Sequence, residues 1–147
     1  MNFLDAAHVI GIDVSEDLFQ TTTAVLESVG IGQVSLHLSH TYKQEIIEHG
    51  DFAFSYVVMQ HIPKAIQKDY LRFFADWLNP GGTLLFQFLV GDYEDSPNAA
   101  EPHFWWRVDD LWIALQKVPL SIENLDIMRV ESTLPSVFHA WARMVRE

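Results

Sequence analysis

The stretch Val9-Ile10-Gly11-Ile12-Asp13-Val14-Ser15 decides how the chain is read. Residues 8–12 make a short apolar run of the kind found in strands buried on both faces. The run ends in an acid, Asp13. Ser15 is a favourable helix N-cap, and Glu16 and Asp17 suit the positive end of a helix dipole. Leu18, Thr22, Val25, Leu26 and Val29 then recur at helical spacing, and Gly30 and Gly32 end the helix. Residues 33–38 alternate, with Val34, Leu36 and Leu38 on one face, as in a half-buried strand. The N-terminal third therefore reads strand, helix, strand.

The pattern repeats further on. Residues 51–59 are largely apolar and predict a strand, and Pro63 closes the loop after it. The next helix is expected over 64–78, with Ile66, Tyr70, Phe74, Trp77 and Leu78 on its inner face. Asn79-Pro80-Gly81-Gly82 predicts a turn, because proline stops the helix and glycine accepts positive φ. Residues 83–90 read as a buried strand, and 91–102 as an acidic surface loop. Val108, Leu111, Trp112, Leu115 and Val118 form a helix stripe that Pro119 stops. Two final strands, 125–130 and 137–145, are joined by a link too short for a parallel crossover, so they should be antiparallel. Alternation of this kind gives a mostly parallel α/β sheet with helices on both faces.

A chain of 147 residues, 49% hydrophobic and 20% charged, is expected to be one globular domain over 1–147. A formal charge of −11 argues against nucleic acid and against an anionic membrane surface, since both need basic patches. The absence of cysteine excludes disulfides, zinc–thiolate sites and cysteine nucleophiles. The seven histidines show no i, i+4 pair or other metal spacing, so no metal is expected. No apolar run approaches membrane-span length and no signal-peptide pattern precedes Val9, which makes the cytoplasm the expected compartment.

Three segments together resemble the class I S-adenosylmethionine (SAM)-dependent methyltransferases. They are Val9–Ser15 itself, Asp51-Phe-Ala-Phe-Ser-Tyr-Val-Val-Met-Gln60-His61-Ile-Pro63, and Phe73-Phe-Ala-Asp-Trp-Leu78-Asn79-Pro80-Gly81-Gly82-Thr83-Leu84-Leu85-Phe86. The second is similar to that family's fourth strand and following loop. The third is similar to its Pro-Gly-Gly turn into the fifth strand. The resemblance implies a Rossmann-like methyltransferase sheet with a reversed last strand, and SAM as the cofactor. It covers about residues 9–145. Two departures stand out. The stretch before Val9 is too short for the family's first strand and glycine-rich loop, so a shortened chain with weak SAM affinity is expected. No acid stands near Ser39-His40, where the family often binds the adenine amino group.

The resemblance assigns roles residue by residue. Asp13 would accept the ribose hydroxyls of the cofactor, and Val14 and Tyr56 would pack against it. A carboxylate that merely meets a helix dipole is the plainer reading of Asp13. Gln60 and Trp105 would contact a small-molecule methyl acceptor, which the negative charge expects to be neutral or cationic. His61 could act as general base, since its ordinary pKa lies near neutrality. Loop histidines more often cap a helix or meet solvent, and clustered tryptophans more often bury a helix entry.

Other functions stay open. In the usual family order the missing strand lies between the Val9 and Asp51 strands. Its absence would leave exposed edges able to pair with a second copy, giving a homodimer or a non-catalytic, partner-binding remnant. An acid after the second strand also suits a dinucleotide, although the Pro-Gly-Gly turn and the antiparallel pair argue against that.

Overall fold

Asp13 ends a parallel strand, as its sequence context requires. In the computed structural model, which describes residues 8–30, 33–130 and 137–147, the chain divides into two compact units, residues 1–48 and 49–147.

In the first unit, β1 (Val9–Asp13) pairs in parallel with β2 (Val34–Leu38), from Val9 opposite Val34 to Asp13 opposite Leu38. Helix α1 (Asp17–Ser28) crosses from one to the other, and Gly30 leaves it at φ +87°. A short helix α2 (Tyr42–Glu45) follows β2, and Tyr42 and Ile46 are buried. Glu45 meets His37 at 2.8 Å, a hydrogen bond that holds its carboxyl below the ordinary value.

Two details of α1 differ from expectation. The residue before the helix is Glu16, not Ser15, and no side chain caps it. Ser15 is held instead by its backbone, whose N–H donates to Asp13 Oδ1 at 2.8 Å. The helix also buries no residue. Leu18, Val25 and Val29 of the expected stripe are exposed, while Phe19, Thr23 and Leu26 are half-buried. The inward face is thus rotated about one residue along the helix from the apolar stripe.

The second unit is a four-stranded sheet in the order β3-β4-β6-β5, from β3 (Gly50–Ser55), β4 (Leu78–Val90), β5 (Ser121–Arg129) and β6 (Phe138–Val145). β3 and β4 are parallel, and β6 runs antiparallel to both β4 and β5, as expected of the C-terminal pair. The link at 131–136 lies outside the described residues, as do Gly32 and residues 1–7. Among the described residues β1 has β2 as its single strand neighbour, and β3 has β4. No described helix is long and apolar enough to cross a membrane.

The core of this unit follows from strand alternation. Leu84, Phe86 and Phe88 share one face of β4 and are buried with Leu71 of α3 (Lys64–Trp77) and Leu111 and Leu115 of α4 (Val108–Leu115). Phe74 meets Phe86 edge to face at 5.4 Å. Each fully buried Phe or Leu contributes about 1.5–3 kcal/mol, so this face dominates the unit's stability. The stripes on the two helices shift from those expected. Ile66 and Trp112 are exposed, and Gln67, Leu71, Ala75 and Ala114 take the inner positions.

Asn79–Gly82 is not a free turn. It belongs to β4, where Gly81 stands at φ +80° and donates its N–H to the Arg146 carbonyl at 2.7 Å. A side chain at Gly82 would press within 2.8 Å of the Asn79 carbonyl. Arg146 also turns its guanidinium onto the carbonyls of Asp76 and Leu78, neutralising the last turn of α3.

Candidate functional site

Ligands of open α/β sheets bind beyond the carboxyl ends of parallel strands. Each unit presents one such pair of ends.

At the end of β1, Asp13 is exposed. Its Oδ1 is fixed by the Ser15 N–H, and its backbone carbonyl accepts the Ser39 N–H at 2.8 Å. Asp13 Oδ2 has no hydrogen-bond partner among the described residues, which leaves one oriented oxygen for a ligand hydroxyl. Asp13 rims a hollow of about 140 Å³ floored by Gly11, Ile12, Phe19 and Leu36. Complete small-molecule pockets measure about 300–1,000 Å³, so this hollow suits part of a ligand only. Val14, beside it, is 80% exposed.

At the end of β3 the expected strand stops early. It ends at Ser55, and Met59–His61 form a 3₁₀ turn. The cause is Val57, whose φ of +62° is left-handed. A β-branched side chain is strained there, at a cost of about 1–3 kcal/mol. The Val57 N–H donates to Gln87 Oε1 at 2.7 Å. Gln87 is buried on β4, and its Nε2 has no partner among the described residues; neither has the buried Ser55 Oγ. An orphaned buried polar group costs about 1–3 kcal/mol, and such groups cluster where a ligand completes them.

Ser55, Val57 and Gln87 are not among the site residues that the sequence motifs indicate. The available signal was a lone glutamine inside an otherwise apolar strand, Thr83-Leu84-Leu85-Phe86-Gln87-Phe88-Leu89-Val90.

Tyr56 is 56% exposed and lies against Trp141 of β6, ring centroids 5.7 Å apart and nearly parallel. Phe54 stacks on the same indole at 6.1 Å. An aromatic face therefore borders the strained loop.

Gln60 and His61 are tied together, Gln60 Nε2 to His61 Nε2 at 3.0 Å. His61 Nδ1 donates to the Pro102 carbonyl at 2.7 Å, which leaves Nε2 as the acceptor for the Gln60 amide. The Phe104 N–H donates to the Gln60 carbonyl at 2.8 Å. Both ring nitrogens of His61 are thus engaged, Nδ1 joining this turn to Pro102 and Nε2 bonding within the turn. Reaching a substrate proton would require release of the Gln60 amide. Trp105 is only 8% exposed; it packs with Leu89 and Val137, and its N–H donates to Asp95 Oδ1 at 2.8 Å. The structure brings Tyr56, Gln60 and His61 together on one loop and places Trp105 largely in the core beneath the following segment.

No protein-family model matches the chain, and no curated protein matches it by sequence. Solved structures do match by shape. The fold is that of the class I SAM-dependent methyltransferases. A SAM-dependent methyltransferase from Methanosarcina mazei aligns with 98% of this chain and 84% of its own, at 12% identity and a TM-score of 0.70. TehB from Haemophilus influenzae aligns with 95% of this chain and 50% of its own, at 15% identity and a TM-score of 0.70. The magnesium protoporphyrin IX methyltransferase of Synechocystis PCC 6803, solved with bound SAM, aligns with 97% of this chain and 61% of its own, at 15% identity and a TM-score of 0.63. At these identities the likeness is one of fold, and the chain spans little more than half the length of the last two.

Proposed function

We propose that the chain is a cytoplasmic SAM-dependent methyltransferase domain acting on a small-molecule acceptor. The observation that carries this reading is the match of 95–98% of the chain to several methyltransferases. Asp13 supports it with a carboxylate at a strand end, one oxygen fixed and the other available.

In this reading Asp13 accepts the ribose hydroxyls and Val14 packs against the cofactor. When bound, SAM supplies an electrophilic methyl group on a sulfonium, which already is a good leaving group. The protein's task is then mainly alignment, which alone is worth a large part of the barrier. Gln60 orients the acceptor; Trp105, largely buried, supports the wall behind it. His61 takes its proton where one must leave, after the Gln60 amide lets go of Nε2.

Calorimetric titration of the full chain with SAM tests the reading. Saturable binding weaker than about 10 μM is expected. Asp13→Ala should weaken it about tenfold, because charge-assisted hydrogen bonds to hydroxyls are worth about 1.5–3 kcal/mol. Binding untouched by Asp13→Ala would remove that residue from the site.

A second reading is favoured by a specific observation: β1 and β3 each have one strand neighbour among the described residues. A strand edge without a neighbour is a template for another chain. A non-catalytic, dimerising protein fits that feature. Sedimentation showing a dimer together with no saturable SAM binding would favour it over the first reading.

A further inference from the structure

The chain is strongly acidic, yet its cations are not dispersed. Five of its nine lysines and arginines, Lys64, Lys68, Arg72, Arg107 and Lys117, line a single open groove of about 650 Å³ in the second unit. The groove runs alongside α3 and α4. Its volume falls within the range of about 300–1,000 Å³ common to small-molecule sites. None of Tyr56, Gln60 or His61 lines it.

The arrangement on α3 is specific. Lys64, Lys68 and Arg72 follow one another at i, i+4 and i+8, which stacks three like charges on one helix face. Like pairs at this spacing destabilise a helix by about 0.2–0.5 kcal/mol each. Two of them converge on one ring, with Lys64 Nζ 5.7 Å and Lys68 Nζ 5.5 Å from the Trp106 centroid. Trp106 cannot turn away. Its Nε1–H donates to the buried Gln67 Oε1 at 2.7 Å, and its backbone N–H donates to the Leu89 carbonyl at 3.0 Å.

Acids match the cations in number but leave two of the cations without an ion pair among the described residues. Glu94, Asp95 and Asp110 line it, against the five cations. Lys64 is paired with Asp95 at 3.0 Å, and Arg107 with Asp92 at 3.1 Å. Arg72 meets Asp69 of its own helix at 3.6 Å. Lys68 and Lys117 have no ion pair among the described residues, and both are exposed. Between the charges the lining is aromatic and apolar: Tyr93, Trp105, Trp106 and Ile113. Cation–π contact explains why lysine stems lie over Trp106. It does not explain why Arg72, Arg107 and Lys117 gather at the same place in a chain of charge −11.

We infer that this groove binds a small aromatic anion, its phosphate or carboxylate held by Lys68 and Lys117 and its ring lying against the accessible Tyr93 and Ile113. The groove contains none of Asp13, Tyr56, Gln60 and His61, and binding there stands whether or not the chain transfers methyl groups.

Phenyl phosphate is the probe, followed by calorimetry and by the indole N–H resonances of the ¹⁵N-labelled full chain. The Trp106 resonance is assigned by its loss in Trp106→Phe. Saturable binding with a dissociation constant on the order of 1 mM or tighter is expected, together with a shift of the Trp106 resonance. Lys68→Ala with Lys117→Ala should weaken binding at least about tenfold without lowering the melting temperature, because two charge-assisted contacts are lost from exposed side chains. Lys68→Gln with Lys117→Gln, which keeps the stems, should do the same. No saturation, or binding unchanged in both double variants, would overturn the inference. Equal affinity for inorganic phosphate would remove the ring from the site, and equal affinity for benzyl alcohol would remove the charge; either overturns it as well.

Discussion

The side-chain oxygen of Gln87 accepts the backbone N–H of Val57 at 2.7 Å, and Val57 stands at φ +62°. A buried amide on one strand thereby holds a strained residue at the end of its neighbour. Glycine reaches this backbone conformation without the Cβ clash, at some cost in unfolded-state entropy. Val57→Gly is therefore expected to stabilise the protein by about 1 kcal/mol in urea unfolding, with an unchanged slope. A loss of stability of similar size would mean that the valine side chain contributes more by packing than its backbone costs.

Gln67 is fully buried and uses both ends of its amide. Its Nε2 donates to the Ile62 carbonyl at 2.6 Å and its Oε1 accepts Trp106 Nε1–H at 2.7 Å. Gln67→Met keeps the volume and strands both partners, at a cost of about 3 kcal/mol. In a double-mutant cycle with Trp106→Phe, the coupling should be about 1 kcal/mol. A coupling near zero would show that the indole N–H finds another acceptor.

Arg146 reaches two carbonyls at the end of α3 while its backbone pairs with Gly81 and Gly82. Arg146→Met should cost about 1.5 kcal/mol, and Arg146→Lys should recover only part of it, since an ammonium lacks the planar fork. Full recovery in Arg146→Lys would make charge alone the cause.

Much of this was legible in the sequence, and the exceptions have physical causes. The strand ending at Asp13, the buried strand 83–90 and the antiparallel final pair are written in local apolar runs and link lengths. The end of β3 was not legible. Tyr56-Val57-Val58 has strong strand propensity, and what turns it is a glutamine thirty residues later in the chain. The helix starts one residue later than the Ser15 cap predicted, with no side chain capping it. The exposed acid at the end of β1 was visible from its place after an apolar strand, whereas the orphaned amide of Gln87 needs burial to be noticed. The groove was hidden by net charge. The sequence shows Lys64, Lys68 and Arg72 only as a helix-spaced row, and the fold brings Arg107 and Lys117 to it.

His139 on β6 lies opposite Leu89 on one side and Met128 on the other. Burial among these neighbours holds its imidazole below the ordinary histidine value. The unfolded chain takes up its proton near pH 6.5, and the folded chain only at lower pH. Between those two values the unfolded state binds more protons, so stability falls as pH falls. His139 thus contributes fully above about pH 6.5, and the contribution is lost as the pH drops through the folded value. Because the ring is only partly buried, the slope should be shallow, well under the limit of about 1.4 kcal/mol per pH unit for one proton. Unfolding curves at about pH 8 and about pH 5.5 should show His139→Gln losing less stability on acidification than the parent. An equal or larger loss in the variant would assign the acid sensitivity to other groups.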